Sequence, residues 1–351
     1  MTGTGIDPRT ACFVGSRKHT QKTASAVYPG SRTGVEYMNL TGRKPKVILA
    51  MSELFTLLDP AEEHRHIEFA RVAEEAGIEG LFVSEHVVMG PSAGAVGRPE
   101  NPRQFVRPGM QDPATPWPAP LIKLAAMAGA TSRIRLISAA LLAPLRHPIV
   151  LAKEMATMDM MSNGRFTVLP SVSWHDEEYD ALQVDFKTRG RRLDEHLDIW
   201  KTLWENTPAS YDGEFYQFRD TYFAPKPRPG GIKMWFGGTE LRPALLRRIA
   251  NYADGLFLGF PMSADDRAAL ERAMKQVGRS ADELEVVGWL VPSFSDTTSV
   301  ADIDGTIDAQ LERLVDQGCD LIAIKPSCFI DDPDEMGAFC RHVLARIDDK
   351  F

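Results

Sequence analysis

Residues 134–182 read IRLISAALLAPLRHPIVLAKEMATMDMMSNGRFTVLPSVSWHDEEYDAL, and this stretch decides the fold. Its first apolar run, residues 134–142, has the length of a buried strand. Pro148 then stands where a helix tolerates proline in its first turn, and apolar residues recur after it at helical spacing. A Ser-Asn-Gly turn ends that helix, and residues 165–169 begin a second apolar strand. Strand, helix and strand in this order predict a βαβ unit with parallel strands.

The same alternation continues on both sides of this unit. The predicted strands are residues 46–51, 79–85, 134–142, 165–169, 234–236, 254–258, 283–290 and 320–325. The predicted helices are residues 60–76, 120–130, 148–160, 188–204, 241–252, 264–277, 303–317 and 336–347. Such a series predicts a (β/α)8 TIM barrel, whose active sites lie at the carboxyl ends of the strands. An open, doubly wound sheet is the alternative, but no Gly-x-Gly-x-x-Gly motif follows an early strand.

Three segments do not fit the alternation. Residues 87–119 are rich in Pro and Gly and lack periodicity, which predicts a functional loop or insertion after the second strand. Residues 212–229, within the insertion after the fourth strand, have the pattern of a short hairpin or crossing segment. Residues 1–43 are rich in Gly, Ser, Thr and Arg, which predicts a disordered extension. The expected organisation is therefore one barrel domain, residues 44–351.

Composition argues against several classes of partner. The 351 residues are 44% hydrophobic and 25% charged, and the net charge of −8 includes no basic block, which argues against nucleic acid and anionic membranes as partners. No apolar run approaches the roughly 18 residues of a membrane helix, and residues 1–43 lack the apolar core of a secretory signal. The four cysteines lack the spacing of metal ligands. We expect reduced thiols, no metal site and a cytoplasmic protein.

Two long motifs carry a resemblance to a known family. LRHPIVLAKEMATMDMMSNGR, residues 145–165, resembles the third helix and its flanks in the luciferase-like monooxygenase superfamily. TPWPAPLIKLAAMAGATSRIRL, residues 115–136, is similar to the subgroup that depends on the deazaflavin coenzyme F420. The likeness extends over residues 46–347 and implies a barrel of the bacterial luciferase-like type. It also implies that the cofactor binds at the barrel mouth.

Glu85 and His86 are the candidate catalytic residues. They end the second predicted strand, so both side chains are expected at the mouth of the barrel, and histidine exchanges protons near neutral pH. The family has an acidic residue followed by His at this position, in contact with cofactor and substrate. The resemblance therefore implies that His86 gives or takes a proton, or orients intermediates by hydrogen bonding.

Candidate cofactor-binding residues follow from the same resemblance. Similar enzymes have a cis peptide and a bulge at the end of strand three, where Ser138 and Ala139 stand here. After strand four the family has Gly-x-Gly-x-Gly-Trp, whereas this chain has Leu169-Pro170-Ser171-Val172-Ser173-Trp174. Ser171 and Ser173 thus replace two glycines. Their hydroxyls either add hydrogen bonds to the cofactor or narrow the pocket, and Trp174 is expected to wall the ring.

Other rim residues admit more than one interpretation. His175 or Glu178 is a candidate second acid, although an acidic run here is also typical of a solvated first helical turn. Gly237, Gly238 and Thr239 join strand five to a helix, and the family resemblance places them near the cofactor's ring edge or phosphate. Lys325 and Ser327 end strand eight, where they are candidates to contact an anionic substrate or tail.

The resemblance implies an oxidoreductase that transfers a hydride between coenzyme F420 and a small organic substrate. The first alternative is an FMN-dependent monooxygenase, in which reduced flavin reacts with oxygen and a flavin reductase is a partner. The second alternative is a catalytically silent flavin-binding barrel. The third is a phosphate-binding lyase or isomerase, which would need a catalytic lysine with a partner, and Lys325 has no clear partner in the sequence. The family is often dimeric, so a homodimer is an expectation of the resemblance alone.

Overall fold

The computed structural model describes residues 44–259 and 261–351. The strands in this part of the chain are β1 Lys46–Ala50, β2 Gly80–Val83, β3 Arg135–Leu142, β4 Phe166–Ser171, β5 Ala209–Asp212, β6 Gln217–Thr221, β7 Lys233–Phe236, β8 Gly255–Phe257, β9 Glu285–Trp289 and β10 Leu321–Ile324. The helices are α1 Arg65–Ala76, α2 Pro120–Ala130, α3 Pro148–Met161, α4 Asp176–Ala181, α5 Arg189–Glu205, α6 Pro243–Tyr252, α7 Ala264–Gln276, α8 Ile303–Asp316 and α9 Met336–Asp348.

Eight of these strands form a closed parallel barrel. Its order is β1-β10-β9-β8-β7-β4-β3-β2, so that β1 pairs with both β2 and β10. β5 and β6 form a separate antiparallel hairpin between α5 and β7. The predicted barrel is confirmed, and the doubly wound alternative is wrong because the sheet closes on itself. Residues 1–43, predicted to be an extension, lie outside the described residues.

Alternation along the strands divides the buried side chains into two layers. The inner layer fills the barrel and consists of Ile48, Ala50, Phe82, Ile137, Ala139, Leu169, Trp235, Phe257, Val287, Leu321 and Ala323. The outer layer lies between the strands and the surrounding helices and includes Leu49, Leu81, Leu136 and Val168. Adjacent residues of one strand therefore point in opposite directions, as the pleat requires.

Three aromatic rings close the inside of the barrel below its mouth. Phe82 contacts Phe257 and Trp289 edge to face, with both ring-centroid distances 5.4 Å. Phe257 stacks on Trp289 at 4.9 Å. We call Phe82, Phe257 and Trp289 the aromatic floor. Aromatic pairs of this kind add stability beyond the area they bury, so the floor is a rigid base for anything bound above it.

The strand ends differ slightly from the predicted ends. β4 continues to Ser171, two residues beyond its predicted end, although it contains Pro170. The register of β3 with β4 shifts between Ala139 and Leu141, and Pro170 lies opposite Leu141 directly after this shift. Proline is tolerated at a bulge because its missing N–H breaks no regular ladder there.

None of the helices in residues 44–259 and 261–351 is long and apolar enough to cross a membrane. The same residues contain no group of three or more His, Cys, Asp or Glu side chains that could hold a metal ion. Cys319, Cys328 and Cys340 are buried free thiols. Burial raises the pKa of each to about 12, so these thiols are poor nucleophiles at neutral pH. Cys12 lies outside the described residues.

Candidate active site at the barrel mouth

Polar side chains from neighbouring strands meet at the mouth, the rim formed by the carboxyl ends of the barrel strands. Glu53 follows β1, His86 follows β2 and Lys325 follows β10. These strands lie side by side, and parallel strands bring their carboxyl ends to one edge of the barrel. The three ionisable groups therefore occupy one sector of the mouth.

His86 is the buried imidazole of this sector, with 9% of its surface exposed. Its ring lies 4.9 Å from that of Trp117 and 5.7 Å from that of Trp174, edge to face in both cases. Its Nδ1 lies 3.1 Å from Oε1 of Glu178. Within the described part of the chain, no residue forms a hydrogen bond with Nε2. One ring nitrogen is therefore held by the protein, and the other is available for chemistry.

Glu178 is the carboxylate that orients His86. It is completely buried, and besides His86 it accepts the N–H of Val87 at 2.9 Å and the hydroxyl of Ser173 at 2.8 Å. Burial raises the pKa of its carboxyl, but the hydrogen bonds from His86, Ser173 and Val87 outweigh burial and leave the pKa below the usual 4.5. Glu178 is therefore ionised at neutral pH. Because a carboxylate only accepts hydrogen bonds, we assign the proton of neutral His86 to Nδ1, which leaves Nε2 as a base.

The acidic run at the start of α4 is thus not uniformly solvated. Asp176 is exposed and Glu177 is half-buried, as a solvated first turn predicts. Glu178 is instead directed into the protein, where it contacts the segment that follows β2. The interpretation of the whole run as a solvated face is wrong for this residue, because a contact across 92 positions of sequence decides its burial.

Ser173 has a backbone conformation that usually favours glycine. Its φ is 59°, in the left-handed region, at the position where the family pattern has glycine. Its hydroxyl donates to Oε2 of Glu178 and accepts the N–H of His175 at 3.2 Å. The neighbouring Ser171 accepts only a long hydrogen bond of 3.4 Å from the N–H of Ser173. Compared with glycine, Ser173 therefore has a less favourable backbone conformation, but it donates a hydrogen bond to Glu178, the carboxylate that contacts His86.

Replacing Ser173 tests the role of its hydroxyl. We expect Ser173→Ala to lower the free energy of unfolding by about 1–3 kcal/mol, because Glu178 loses a buried hydrogen bond. Ser173→Gly should be more stable than Ser173→Ala by about 1 kcal/mol, since glycine adopts positive φ without strain. Urea unfolding provides the measurement, and Ser171→Ala is the matched control. The role of the Ser173 hydroxyl would be contradicted if Ser173→Ala were as stable as wild type. It would also be contradicted if Ser173→Gly were less stable than Ser173→Ala.

Acid unfolding is a second measurement on the same variant. A carboxyl whose folded pKa lies below 4.5 contributes stability that is present above pH 4.5 and is lost as the pH falls through the folded value. Ser173→Ala removes one of the hydrogen bonds that lower the pKa of Glu178. The part of the acid loss of stability that comes from Glu178 should therefore be smaller in this variant than in wild type, and it should be complete at a higher pH.

The Glu85 side chain contacts Arg146 and Leu142, and it does not contact Nε2 of His86. Its carboxylate forms a bidentate pair with Arg146, including a 2.9 Å bond, and accepts the N–H of Leu142 at 2.7 Å. The Glu85 side chain is 2% exposed. These contacts fix the segment after β3 against the end of β2. They support a structural role for Glu85 in place of the catalytic role expected from its position.

The end of β3 presents small side chains to the mouth. The Ala139–Ala140 peptide bond is cis, and the strand bulges between Ala139 and Leu141. Ala139 belongs to the inner layer, and Ala140 packs against that layer while remaining partly exposed. Ser138 is completely buried and lies on the opposite side of the strand, toward the helices. Ala139 and Ala140 are therefore placed to contact a ligand, whereas the Ser138 side chain is not.

His175 connects the rim to the long loop after β2. Its Nε2 accepts the N–H of Gly90 at 2.8 Å, and the adjacent Glu177 accepts the N–H of Ser92 at 3.0 Å. The His175 ring is buried and lies 4.9 Å from that of Trp174. Because Nε2 is already an acceptor, the contacts indicate that His175 positions the loop, in place of the second-acid role considered from the sequence.

Gly237, Gly238 and Thr239 do not form the start of a helix. α6 begins only at Pro243, a residue suited to the first helical position. The glycine at 237 is required by the protein itself, because a Cβ there would lie 2.2 Å from the carbonyl oxygen of Phe257. The structure thus places these residues in the turn before the helix, and their contact with the cofactor stays a prediction. Gly237 and Gly238 remain partly exposed at the rim, and Thr239 is exposed.

Part of the long loop folds over the mouth. Arg103 pairs with Asp331 at 2.7 Å and donates to the carbonyl of Thr298 at 2.8 Å. This attachment places Phe105 with its ring 4.6 Å from that of Trp289 in the aromatic floor. Residues 101–105 are therefore fixed to the loops after β9 and β10, and they cover one side of the mouth.

Comparison with known proteins decides the family. The sequence profile described as luciferase-like monooxygenase matches residues 47–304, which is most of the chain. The chain belongs to the luciferase-like monooxygenase family. Members of this family are oxidoreductases. The family membership confirms the resemblance to the luciferase-like family inferred from residues 145–165, and the F420-dependent subgroup suggested by residues 115–136 stays a prediction.

Individual relatives of this luciferase-like protein differ in the cofactors that their names record. An uncharacterised protein of Mycobacterium tuberculosis is 34% identical over 196 residues, which are 53% of this chain and 64% of that protein. The chain thus spans less than two thirds of the length of this relative. The oxygenase component of a flavin-dependent trigonelline monooxygenase from Acinetobacter baylyi is 29% identical over 163 residues, 46% of this chain and 39% of that protein.

A solved structure supports the fold of this luciferase-like protein. The coenzyme F420-dependent tetrahydromethanopterin reductase of Methanopyrus kandleri superposes with a TM-score of 0.61 at 14% sequence identity. The superposition covers 87% of this chain and 99% of the reductase. Identity at this level establishes a common fold. Both flavin-dependent and F420-dependent proteins therefore occur among the similar proteins.

The mouth of this luciferase-like protein fits a flat, partly apolar ring. The inner layer ends in the aromatic floor, and small residues lie at the rim beside it, with Ala140, Gly237 and Gly238 partly exposed. Backbone at such residues is accessible to a planar ligand because no long side chain covers it. Ser171 and Trp174 lie half-buried on the adjacent segment after β4. Small rim residues beside an aromatic floor, with polar groups on the adjacent segment, have the chemistry that a flavin or deazaflavin ring site requires.

Two ionisable residues of the mouth, Glu178 and Glu53, are difficult to predict from the sequence. Glu178 was one of two candidate acids, and nothing in its local sequence distinguishes it from Glu177. Glu53 is not among the residues predicted from the sequence; it follows β1 with φ 56°, which is unusual for glutamate. Its position directly after a barrel strand was the one available sequence signal, since active-site residues of this fold follow strands.

Proposed function

We propose that this protein is an oxidoreductase that transfers a hydride between coenzyme F420 and a small organic substrate, with His86 giving or taking the accompanying proton. The observation that carries the proposal is the buried Glu178–His86 pair, which leaves Nε2 of His86 unpaired among the described residues. General acid–base catalysis requires such a group, held in one orientation with an accessible proton site.

The pair explains how His86 would handle a proton. Glu178 holds Nδ1–H, so Nε2 faces the ligand side as an acceptor in the neutral ring. When Nε2 takes a proton, the nearby carboxylate stabilises the imidazolium, as the buried aspartate does for histidine in the catalytic triad of serine proteases. The packed rings of Trp117 and Trp174 restrict water around this exchange.

The cofactor would lie on the small residues of the rim. Ala139, Ala140, Gly237 and Gly238 would contact its ring, while Ser171, Trp174 and Thr239 are candidates for its edge and chain. When bound, F420 supplies a hydride donor or acceptor that the protein side chains do not provide. Ser173, another candidate cofactor ligand from the sequence, has its hydroxyl engaged by Glu178. We therefore propose that Ser173 positions Glu178 and does not bind the cofactor.

An FMN-dependent monooxygenase is the second candidate, because a relative with sequence similarity is a flavin-dependent oxygenase component. In that case reduced flavin and oxygen would supply the chemistry, and a flavin reductase would be the expected partner. His86 would again serve as the proton donor. The two candidates use the same rim and differ in the cofactor that fits it.

A side-by-side fluorescence titration with F420 and FMN tests the proposal. We expect micromolar or tighter binding of F420. Ala140→Leu, which adds a branched side chain above the aromatic floor, should weaken binding at least tenfold, whereas Ala126→Leu on the exposed side of α2 should not. Binding of FMN alone would replace the proposal with the monooxygenase. Binding of neither would overturn both and indicate that the serines after β4 have closed the pocket.

A further inference from the structure

Lys325 is a buried cation whose surroundings the proposed reaction leaves unexplained. The residue is 1% exposed and is among the largest completely buried side chains. Leu321 and Ala323 of β10 belong to the inner layer, so alternation places Lys325 on the same inward side, one step nearer the mouth. Its ammonium group therefore ends inside the rim and not in the surrounding helix layer.

The protein satisfies this ammonium group incompletely. Nζ donates to the carbonyl of Gln104 at 3.2 Å and lies 5.5 Å from the centre of the Phe105 ring. No carboxylate of the described residues lies within the 4.0 Å that defines an ion pair with it. An ammonium group has three N–H donors, and burying its charge without a counter-ion is costly. At least one donor thus remains for a ligand.

Glu53 is a candidate counter-ion because Lys325 acts on its carboxyl electrostatically, but its own environment disfavours the charge. Burial raises the pKa of the Glu53 carboxyl above 4.5, although the positive charges of Lys325 and His86 oppose this. A shift in this direction makes Glu53 a weaker counter-ion for Lys325 than an exposed carboxylate would be. Lys325 therefore retains a positive charge that no hydrogen-bonded carboxylate of the described residues compensates.

The cover over Lys325 is held in place by contacts of its own. Asn101 donates to the carbonyls of Asp296 and Ser299 at 3.2 and 2.8 Å, and the pair between Arg103 and Asp331 fixes the next turn. Gln104 and Phe105, which contact Lys325, follow directly. Specific hydrogen bonds and an ion pair of the covering segment therefore hold the ammonium group in its buried position.

We propose that Lys325 binds a carboxylate group of the substrate, which makes an organic monocarboxylate the substrate class of this enzyme. The assignment of this ligand as the substrate rests on the proposed function. A single buried cation with one carbonyl partner complements a single negative charge better than the double charge of a phosphate. Because β10 and β2 are separated by β1, the carboxylate would lie about 10 Å from the side of the mouth where His86 acts.

Binding of simple carboxylates to the purified full chain, without cofactor, tests the proposal. The probes are hexanoate and benzoate, compared with hexanamide and benzamide, and intrinsic tryptophan fluorescence reports binding because Trp289 contacts Phe105. We expect at least one carboxylate to bind at least tenfold more tightly than its amide. Lys325→Met should abolish this preference. Lys46→Met, which removes an exposed lysine at the opposite end of the barrel, should retain it.

Several outcomes would overturn the carboxylate site. They are equal binding of acids and amides by wild type, an unchanged preference in Lys325→Met, or a Lys325-dependent preference for inorganic phosphate over the carboxylates. The last would indicate the phosphate of a cofactor. The cofactor titration separates the two proposals: if F420 and FMN both fail to bind while the carboxylate preference holds, the proposed function fails and the anion site remains.

Stability of the variant gives an independent measurement. Methionine retains most of the lysine stem and removes a poorly compensated charge, so we expect Lys325→Met to have a Tm equal to or above that of wild type. A large drop in Tm would show that the charge stabilises the fold, contrary to a ligand-binding role. Lys325→Gln, which retains a hydrogen-bond donor without the charge, should also lose the preference for carboxylates.

Discussion

Replacing His86 with alanine is expected to lower turnover about 10²–10⁴-fold, the usual contribution of a positioned general acid or base. The reason is that Nε2 of His86 is the accessible proton site of the Glu178–His86 pair. The fold and the affinity for the cofactor should be retained, because the ring packs against Trp117 and Trp174 at the rim and is not part of the barrel core. The measurements are kcat, the cofactor Kd and the circular dichroism spectrum.

Two further variants make the result specific. His86→Gln preserves a donor to Glu178 but has no titratable nitrogen, so its loss of turnover should match that of His86→Ala. His342→Ala is the matched control, since His342 lies half exposed on the outer helix α9. Wild-type turnover in His86→Ala would refute the assigned role. A loss of cofactor binding equal to the loss of turnover would instead assign His86 to binding.

Replacing Glu85 with glutamine is expected to lower the free energy of unfolding by about 3–5 kcal/mol, the cost of breaking a buried ion pair by removing one partner. The side chain is 2% exposed, and it neutralises Arg146 while accepting the N–H of Leu142. The amide retains the shape but removes the charge and one of the two acceptors. Urea unfolding of the purified variant provides the measurement.

The matched control for this variant is Glu214→Gln. Glu214 pairs with Arg191 on the surface, where both side chains are more than half exposed. An exposed pair typically contributes about 0–1 kcal/mol, so this variant should unfold nearly as wild type does. Equal losses in the two variants would mean that burial adds nothing at Glu85. A near-wild-type stability of Glu85→Gln together with a loss of turnover would restore its catalytic interpretation.

The sequence alone was sufficient for the barrel and for the list of strands whose ends form the mouth. Strand and helix periods are local properties, since side chains alternate every two residues in a strand and recur every 3.6 residues in a helix. The apolar runs at residues 46–51, 134–142 and 320–325 therefore identified their strands directly. The rule that barrel active sites follow the strands then located His86 correctly at the rim.

The tertiary structure decided which of the rim residues act on one another. Glu178 contacts His86 across 92 positions of sequence, and Glu85 contacts Arg146 across 61. Local sequence does not separate Glu178 from Glu177, or a catalytic Glu85 from a structural one. Burial, hydrogen-bond partners and pKa depend on such long-range contacts, because the cost of a buried charge is set by the groups that surround it in space.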